Sequence, residues 1–187
     1  MRLDAETEEK LKSEAVAYLK DGKPDWDIPH TLLTVHWMRE LIDAEGGDER
    51  ILVSTMYLHD IGYPKLKKGY TFDDLMKSKQ SHDEIGAKLA KPILEKLGYP
   101  EAEVKEITTL IGHHYKKDRL DSHNAQLVLE ADGLAKIDWE HIPPNFDKEN
   151  SLKYLEYFKG RNLPKFKTET GKRFLKDLLA KSESYWG

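Results

Sequence analysis

Apolar residues recur every three to four positions along most of this chain, and the alternation expected of half-buried strands is missing. The spacing predicts helices over 6–20, 29–45, 48–61, 82–97, 101–116, 123–138, 147–159 and 169–184. Local punctuation agrees with those boundaries. Pro29 suits a first helical turn, "EGGD" breaks the chain before 48, and "LGYP" closes a helix at 97–100. Ser81 and Glu84 of "SHDE" have the spacing of a capping box. Residues 62–80 read as a basic loop with room for one short helical turn. The expected fold is all-α, a multi-helix bundle.

The same periodicity shows which polar side chains face inward. Leu52, Met56 and His59 share one stripe; His30 heads Leu33, Trp37 and Leu41; His82 heads Ile85, Leu89 and Ile93. His114 closes Val104, Ile107 and Ile111, and Asp132 lies among Val128, Ala135 and Trp139. Asp60 adjoins His59 at a helix end. A buried carboxylate without a partner costs several kcal/mol or takes up a proton. One shared cation would satisfy the whole set. For each member there is a plainer account: a lone histidine on an apolar face is usually a satisfied core residue, and Asp132 has Lys136 four positions on. Independent accidents on five helices are much harder to accept. The other histidines fall on wetter faces. His36, His123 and His141 are expected at the surface, and His113, beside His114, is a less favoured ligand.

Composition narrows the chemistry further. The chain has 187 residues, enough for one domain, and a net charge of −4 from well-mixed charges, which gives no reason to expect a nucleic-acid polymer as partner. It has no cysteine, so disulfides, thiolate zinc sites and cysteine nucleophiles are excluded. The N-terminal "MRLDAETEEKLKSEAVAYLK" lacks an apolar signal core, and no window is apolar enough to span a bilayer, so a cytoplasmic protein without membrane association is expected.

The order His30, His59-Asp60, Asp132 resembles the HD-domain superfamily of metal-dependent phosphohydrolases, which takes its name from the adjacent His-Asp pair. Asp27 precedes His30 as in the family's "DxxH" opening. "EGGDERILVSTMYLHDIG" resembles its "EGxD", amphipathic helix and "LLHDIG". "EADGLAKID" resembles its closing "DADxL", with Glu130 where aspartate is common. The resemblance covers about residues 25–140, an HD-like core; residues 141–187 read as a helical extension. It implies a first metal held by His30, His59, Asp60 and Asp132. "HDEIGAKLA" from 82 and "ITTLIGHH" from 107 resemble segments of binuclear members, which implies a second ion at His82 and His114 with Asp60 bridging. The Gly-Tyr-Pro at 62–64 is misplaced for the HD-GYP phosphodiesterases, although the double histidine at 113–114 is typical of them.

Nitrogen and carboxylate donors without sulfur suit one or two divalent ions of Fe, Mn, Co or Zn. A hydroxide held by such ions is the nucleophile the resemblance implies, with Asp60 and Lys65 in the catalytic role. The substrate would be a small phosphorylated molecule such as a nucleotide, with Lys65, Lys116 and Arg119 as its phosphate contacts; Lys67, Lys68 and Lys117 read as solvated. Asp27 either orients His30 or caps a helix. Two other readings stand beside the hydrolase. One is an HD-fold di-iron oxygenase with the same ligands. The other is a non-enzymatic metal- or nucleotide-binding module, whose aromatic tail packs over the site or forms a homodimer interface.

Overall fold

A computed structural model describes residues 2–20, 22–23, 25–63, 71–78, 81–114, 122–144 and 146–186. Among these residues the secondary structure is entirely helical: α1 (Ala5–Leu19), α2 (Asp27–Glu45), α3 (Glu49–Leu58), α4 (Phe72–Ser78), α5 (His82–Lys96), α6 (Glu101–His113), α7 (His123–Ile137), α8 (Lys148–Arg161), a 3-10 turn (Leu163–Lys165) and α9 (Glu169–Ser184). No helix among them is long and apolar enough to cross a membrane.

The starts follow from short polar side chains that satisfy the first backbone N–H groups. Asp4 accepts from Thr7 N, Asp48 from Ile51 N, Ser122 from Ala125 N, Asp147 from Asn150 N and Thr168 from Gly171 N. Ser81 is different. It occupies the cap position of α5, but its side chain makes no cap hydrogen bond, so the expected capping box is not formed. A serine at the right spacing caps only when its backbone is extended, and Ser81 has ψ near 2°.

Helices α2, α3, α6 and α7 pack on one another around Met38, Leu41, Leu52, Met56, Ile107, Ile111 and Leu134, all fully buried. Helix α5 lies along α6, and α9 along α7. The inward stripe of α5 differs from the expected one. Ile85 is exposed, and the buried line below His82 runs through Gly86, Ala90 and Ile93. Small residues sit there because the chain after the His-Asp pair presses on the start of α5. A Cβ on Gly62 would lie 2.1 Å from the His82 carbonyl and 2.3 Å from Gly86 N, a contact only glycine permits. That approach brings His82 beside Asp60.

Glu130, in the segment that resembles "DADxL", is wholly buried and ties the C-terminal segment to α7. Its carboxylate accepts from Gln126 Nε2 (2.6 Å), Lys167 N (2.7 Å), Thr168 N (3.0 Å) and Thr168 Oγ1. Through these bonds Glu130 fixes the start of α9 onto the helix that carries Asp132.

Candidate metal centre

Six side chains from five helical segments converge in the interior. His30 comes from the first turn of α2, His59 and Asp60 from the end of α3, His82 from the first residue of α5, His114 from the end of α6, and Asp132 from the middle of α7. All are buried, none more than 6% exposed.

Two groups form, and they share Asp60. In the first, one donor atom each from His30, His59 and Asp60 lies within 4.8 Å of the others. Asp132 completes that side, its Oδ1 standing 3.3 Å from His30 Nε2 and 3.6 Å from His59 Nε2. In the second, Asp60, His82 and His114 meet the same limit. Here Asp60 Oδ1 is 3.8 Å from His82 Nε2 and 3.6 Å from His114 Nε2, and the two imidazole nitrogens are 3.1 Å apart.

Tautomers follow from the backbone. His59 Nδ1 donates to the Met56 carbonyl at 2.8 Å and His114 Nδ1 to the Ile111 carbonyl at 2.6 Å. A carbonyl only accepts, so in the neutral ring the proton lies on Nδ1 and the Nε2 lone pair faces the cluster. That is the orientation a metal ligand requires. Several of these atoms are left without a hydrogen bond: both nitrogens of His30, Nε2 of His59 and Oδ1 of Asp132. Each such buried atom costs about 1–3 kcal/mol. Three of them, His30 Nε2, His59 Nε2 and Asp132 Oδ1, meet across 3.3–3.6 Å, which fits a cation.

The electrostatics agree. Burial pushes the His30 imidazole down to about 4, so it is neutral and able to ligate near pH 7. For Asp60, burial would favour the neutral acid, but His59, Lys23, His114 and His30 outweigh it and hold the carboxyl well below the usual range. For Asp132, burial is likewise outweighed, first by Lys136 and then by His30 and His59. His59 is pulled up: burial opposes its charge, but Asp60 and Asp132 favour it. Lys136 ion-pairs with Asp132 Oδ2 while Oδ1 faces the histidines, so the pairing considered for Asp132 coexists with a ligand role.

Asp27 neither caps α2 nor bonds to His30. The cap position is Trp26, and neither His30 nitrogen has a hydrogen bond. Its carboxylate instead takes the Lys23 backbone N–H at 2.6 Å and ion-pairs with the Lys23 ammonium at 2.8 Å. That ammonium stands 3.7 Å from Asp60 Oδ2 and 3.5 Å over the Tyr63 ring, which in turn stacks on His82 at 4.1 Å. A pocket of about 430 Å³, including the space open at its mouth, reaches His30 and Asp60. Lys23, Lys136, Trp26, Tyr63, Trp139 and Tyr154 line it, so the segment after residue 140 supplies part of the wall.

Lys65, Lys116 and Arg119, expected as phosphate contacts, lie outside the described residues, as do Lys67, Lys68 and Lys117. The surface histidines fall as expected: His36, His123 and His141 are exposed. His113 is part-buried, and its Nδ1 donates to the Thr109 carbonyl at 3.0 Å. Lys23, Tyr63 and Trp26 were not recognised from the sequence, because the turn before α2 and the chain after Asp60 carry no periodicity to point them inward. For Lys136 the signal existed in its i,i+4 relation to Asp132.

A fold comparison aligns the chain with the crystal structure of a protein described as a predicted HD superfamily hydrolase from an uncultured Thermotogales bacterium. The TM-score is 0.63 over 96% of this chain and 92% of that one, at 21% identity, which speaks to the fold. No curated protein matches the sequence. The family model of the HD domain matches residues 28–137, more than half of the chain, and spans every residue of both ligand groups. The chain belongs to the HD domain family.

Proposed function

We propose that this protein is a metal-dependent phosphohydrolase acting on a small phosphorylated molecule. The observation that carries the reading is Asp60, a buried carboxylate shared by both groups, with Oδ2 3.7 Å from His30 Nε2 and Oδ1 within 3.8 Å of the Nε2 atoms of His59, His82 and His114. Such a carboxylate suits two divalent ions, one beside His30, His59 and Asp132 and one beside His82 and His114. Bound ions would supply Lewis acidity and activate a water, so no serine or cysteine nucleophile is required. The protein's own part is to turn Nε2 of His59 and His114 towards the cluster, to hold Asp60 and Asp132 ionised, and to open the cluster onto the pocket lined by Lys23 and Lys136. The similar Thermotogales protein bears the name of a hydrolase, which supports this class of reaction. The aromatic lining of the pocket favours a substrate with a flat organic moiety, such as a nucleotide base, because rings gain most from stacking.

The test is elemental analysis of the purified protein followed by a phosphate-release screen over nucleotides and other phosphate esters. Release that depends on added Mn, Fe, Co or Zn and disappears in Asp60→Ala is expected. Wild-type protein that purifies without metal and binds none of these ions would refute the reading. Oxygen uptake by the iron-loaded protein, without phosphate release, would instead assign the same ligands to an oxygenase.

A further inference from the structure

We propose that Lys23 and Lys136 form a two-armed anion clamp that holds the substrate's phosphoryl oxygens beside Asp60. The inference rests on the phosphohydrolase reading and names the residues that bind the group to be transferred. Neither lysine belongs to the donor set, and both line the pocket that reaches His30 and Asp60.

Lys23 is only 4% exposed. A lysine on the surface extends its long stem and keeps the ammonium in water. Instead the side chain is held inside, with Asp27 gripping its backbone N–H at 2.6 Å and its ammonium at 2.8 Å, and with the Tyr63 ring beneath the charge. A cation fixed this way loses little freedom on meeting a ligand, which is what a preorganised anion contact needs. Lys136 is fixed from another element, by Asp132 on the adjacent turn of α7. Each ammonium group is thus braced by a buried carboxylate, Lys23 by Asp27 and Lys136 by Asp132.

Charge balance gives the clamp its purpose. By formal charge the carboxylates of Asp27, Asp60 and Asp132 stand against the ammonium groups of Lys23 and Lys136, an excess of one negative charge. A single divalent ion reverses that sign, and a second adds to it. The pocket then contains surplus positive charge with little access to water, and a phosphate dianion is the complementary guest. Lys23, 3.7 Å from Asp60 Oδ2, lies where it could contact such a guest while the guest faces the ions.

The experiment is calorimetric titration of inorganic phosphate into metal-saturated protein: wild type, Lys23→Met, Lys136→Met, and Lys96→Met as a control on an exposed lysine paired with Glu14. Each clamp variant is expected to lose about ten- to hundredfold in phosphate affinity, the scale of a hydrogen bond to a charged group. Metal content and helical circular dichroism should hold, and the control should match wild type. With a hydrolysed ester in hand, KM should rise in both variants. If Lys23→Met does not fold, Lys23→Gln, which keeps a donor towards Asp27, replaces it. Wild-type affinity in both clamp variants overturns the inference alone, and a loss confined to one of them overturns the two-armed clamp. Absence of phosphate binding by metal-saturated wild type brings down the phosphohydrolase reading, and the clamp with it.

Discussion

Around Asp60, one side of the cluster is built from α2, α3 and α7 and adds a second carboxylate, whereas the other is built from the start of α5 and the end of α6 and adds only imidazoles. On the first side His30 and Asp132 leave atoms without hydrogen bonds, and Asp132 is charged and braced by Lys136. On the second side His82 and His114 face each other across 3.1 Å, with the Asp60 carboxylate shared between both sides. Carboxylates attract a divalent ion by charge as well as by coordination, so the first side should bind more tightly and fill first. The second depends on Asp60 for its anionic ligand. The shared residue is therefore worth more than any residue belonging to one side.

The largest effect should come from removing that residue. Asp60→Ala should lose both ions in elemental analysis and all metal-dependent phosphate release, while far-ultraviolet circular dichroism still shows a helical protein. Retention of a full complement of metal would show that Asp60 bridges nothing. A smaller effect is expected one side at a time. His82→Ala should keep the first ion and lose the second. His30→Ala should weaken the tighter site and reduce phosphate release further. Equal loss in the two variants would erase the ranking of the sides.

A third prediction concerns the chelated, metal-free protein and uses His30. In the unfolded chain its imidazole protonates near 6.5, while in the folded protein burial delays protonation to about 4. The unfolded state therefore takes up the proton first, and stability should fall as pH drops from about 6.5 towards 4. The contribution is on the order of 3 kcal/mol at most. His59, whose folded value is raised, works in the opposite sense, adding stability at low pH that is lost as pH rises through its folded value. His30→Asn should flatten the acid side of a urea-unfolding series; a slope unchanged from wild type would show that His30 is not held neutral. The smallest effect marks the boundary of the cluster. His36→Ala, on the exposed face of α2, should change stability by less than about 0.5 kcal/mol and leave metal content unaltered.

Much of this arrangement could be read in advance where the signal is periodic. His30, His59, His114 and Asp132 each extend an apolar stripe of their own helix, and those stripes are buried as expected. His82 was placed correctly on a partly wrong stripe: Ile85 points outward, and the buried line runs through Gly86 and Ala90. Hydrophobicity cannot detect a face made of small residues, because glycine and alanine are chosen there for the backbone that comes close, here the chain at Gly62. Asp27 misled for a related reason. Its position before His30 suggested a partnership with the histidine, but the turn that carries Lys23 folds back onto its carboxylate.

The sequence by itself determined the all-helical class, the approximate helix boundaries and the inward direction of His30, His59, His82, His114 and Asp132. All of these depend on interactions within three or four residues, which a linear string records. Only the tertiary structure decided that Asp60 stands between two groups, that Lys23 and Tyr63 stack beside it, and that Trp26, Trp139 and Tyr154 close one pocket over the site. Those contacts join segments separated by up to about a hundred residues or more. They arise from helix packing and from irregular turns, where no local period links a residue to what it will touch.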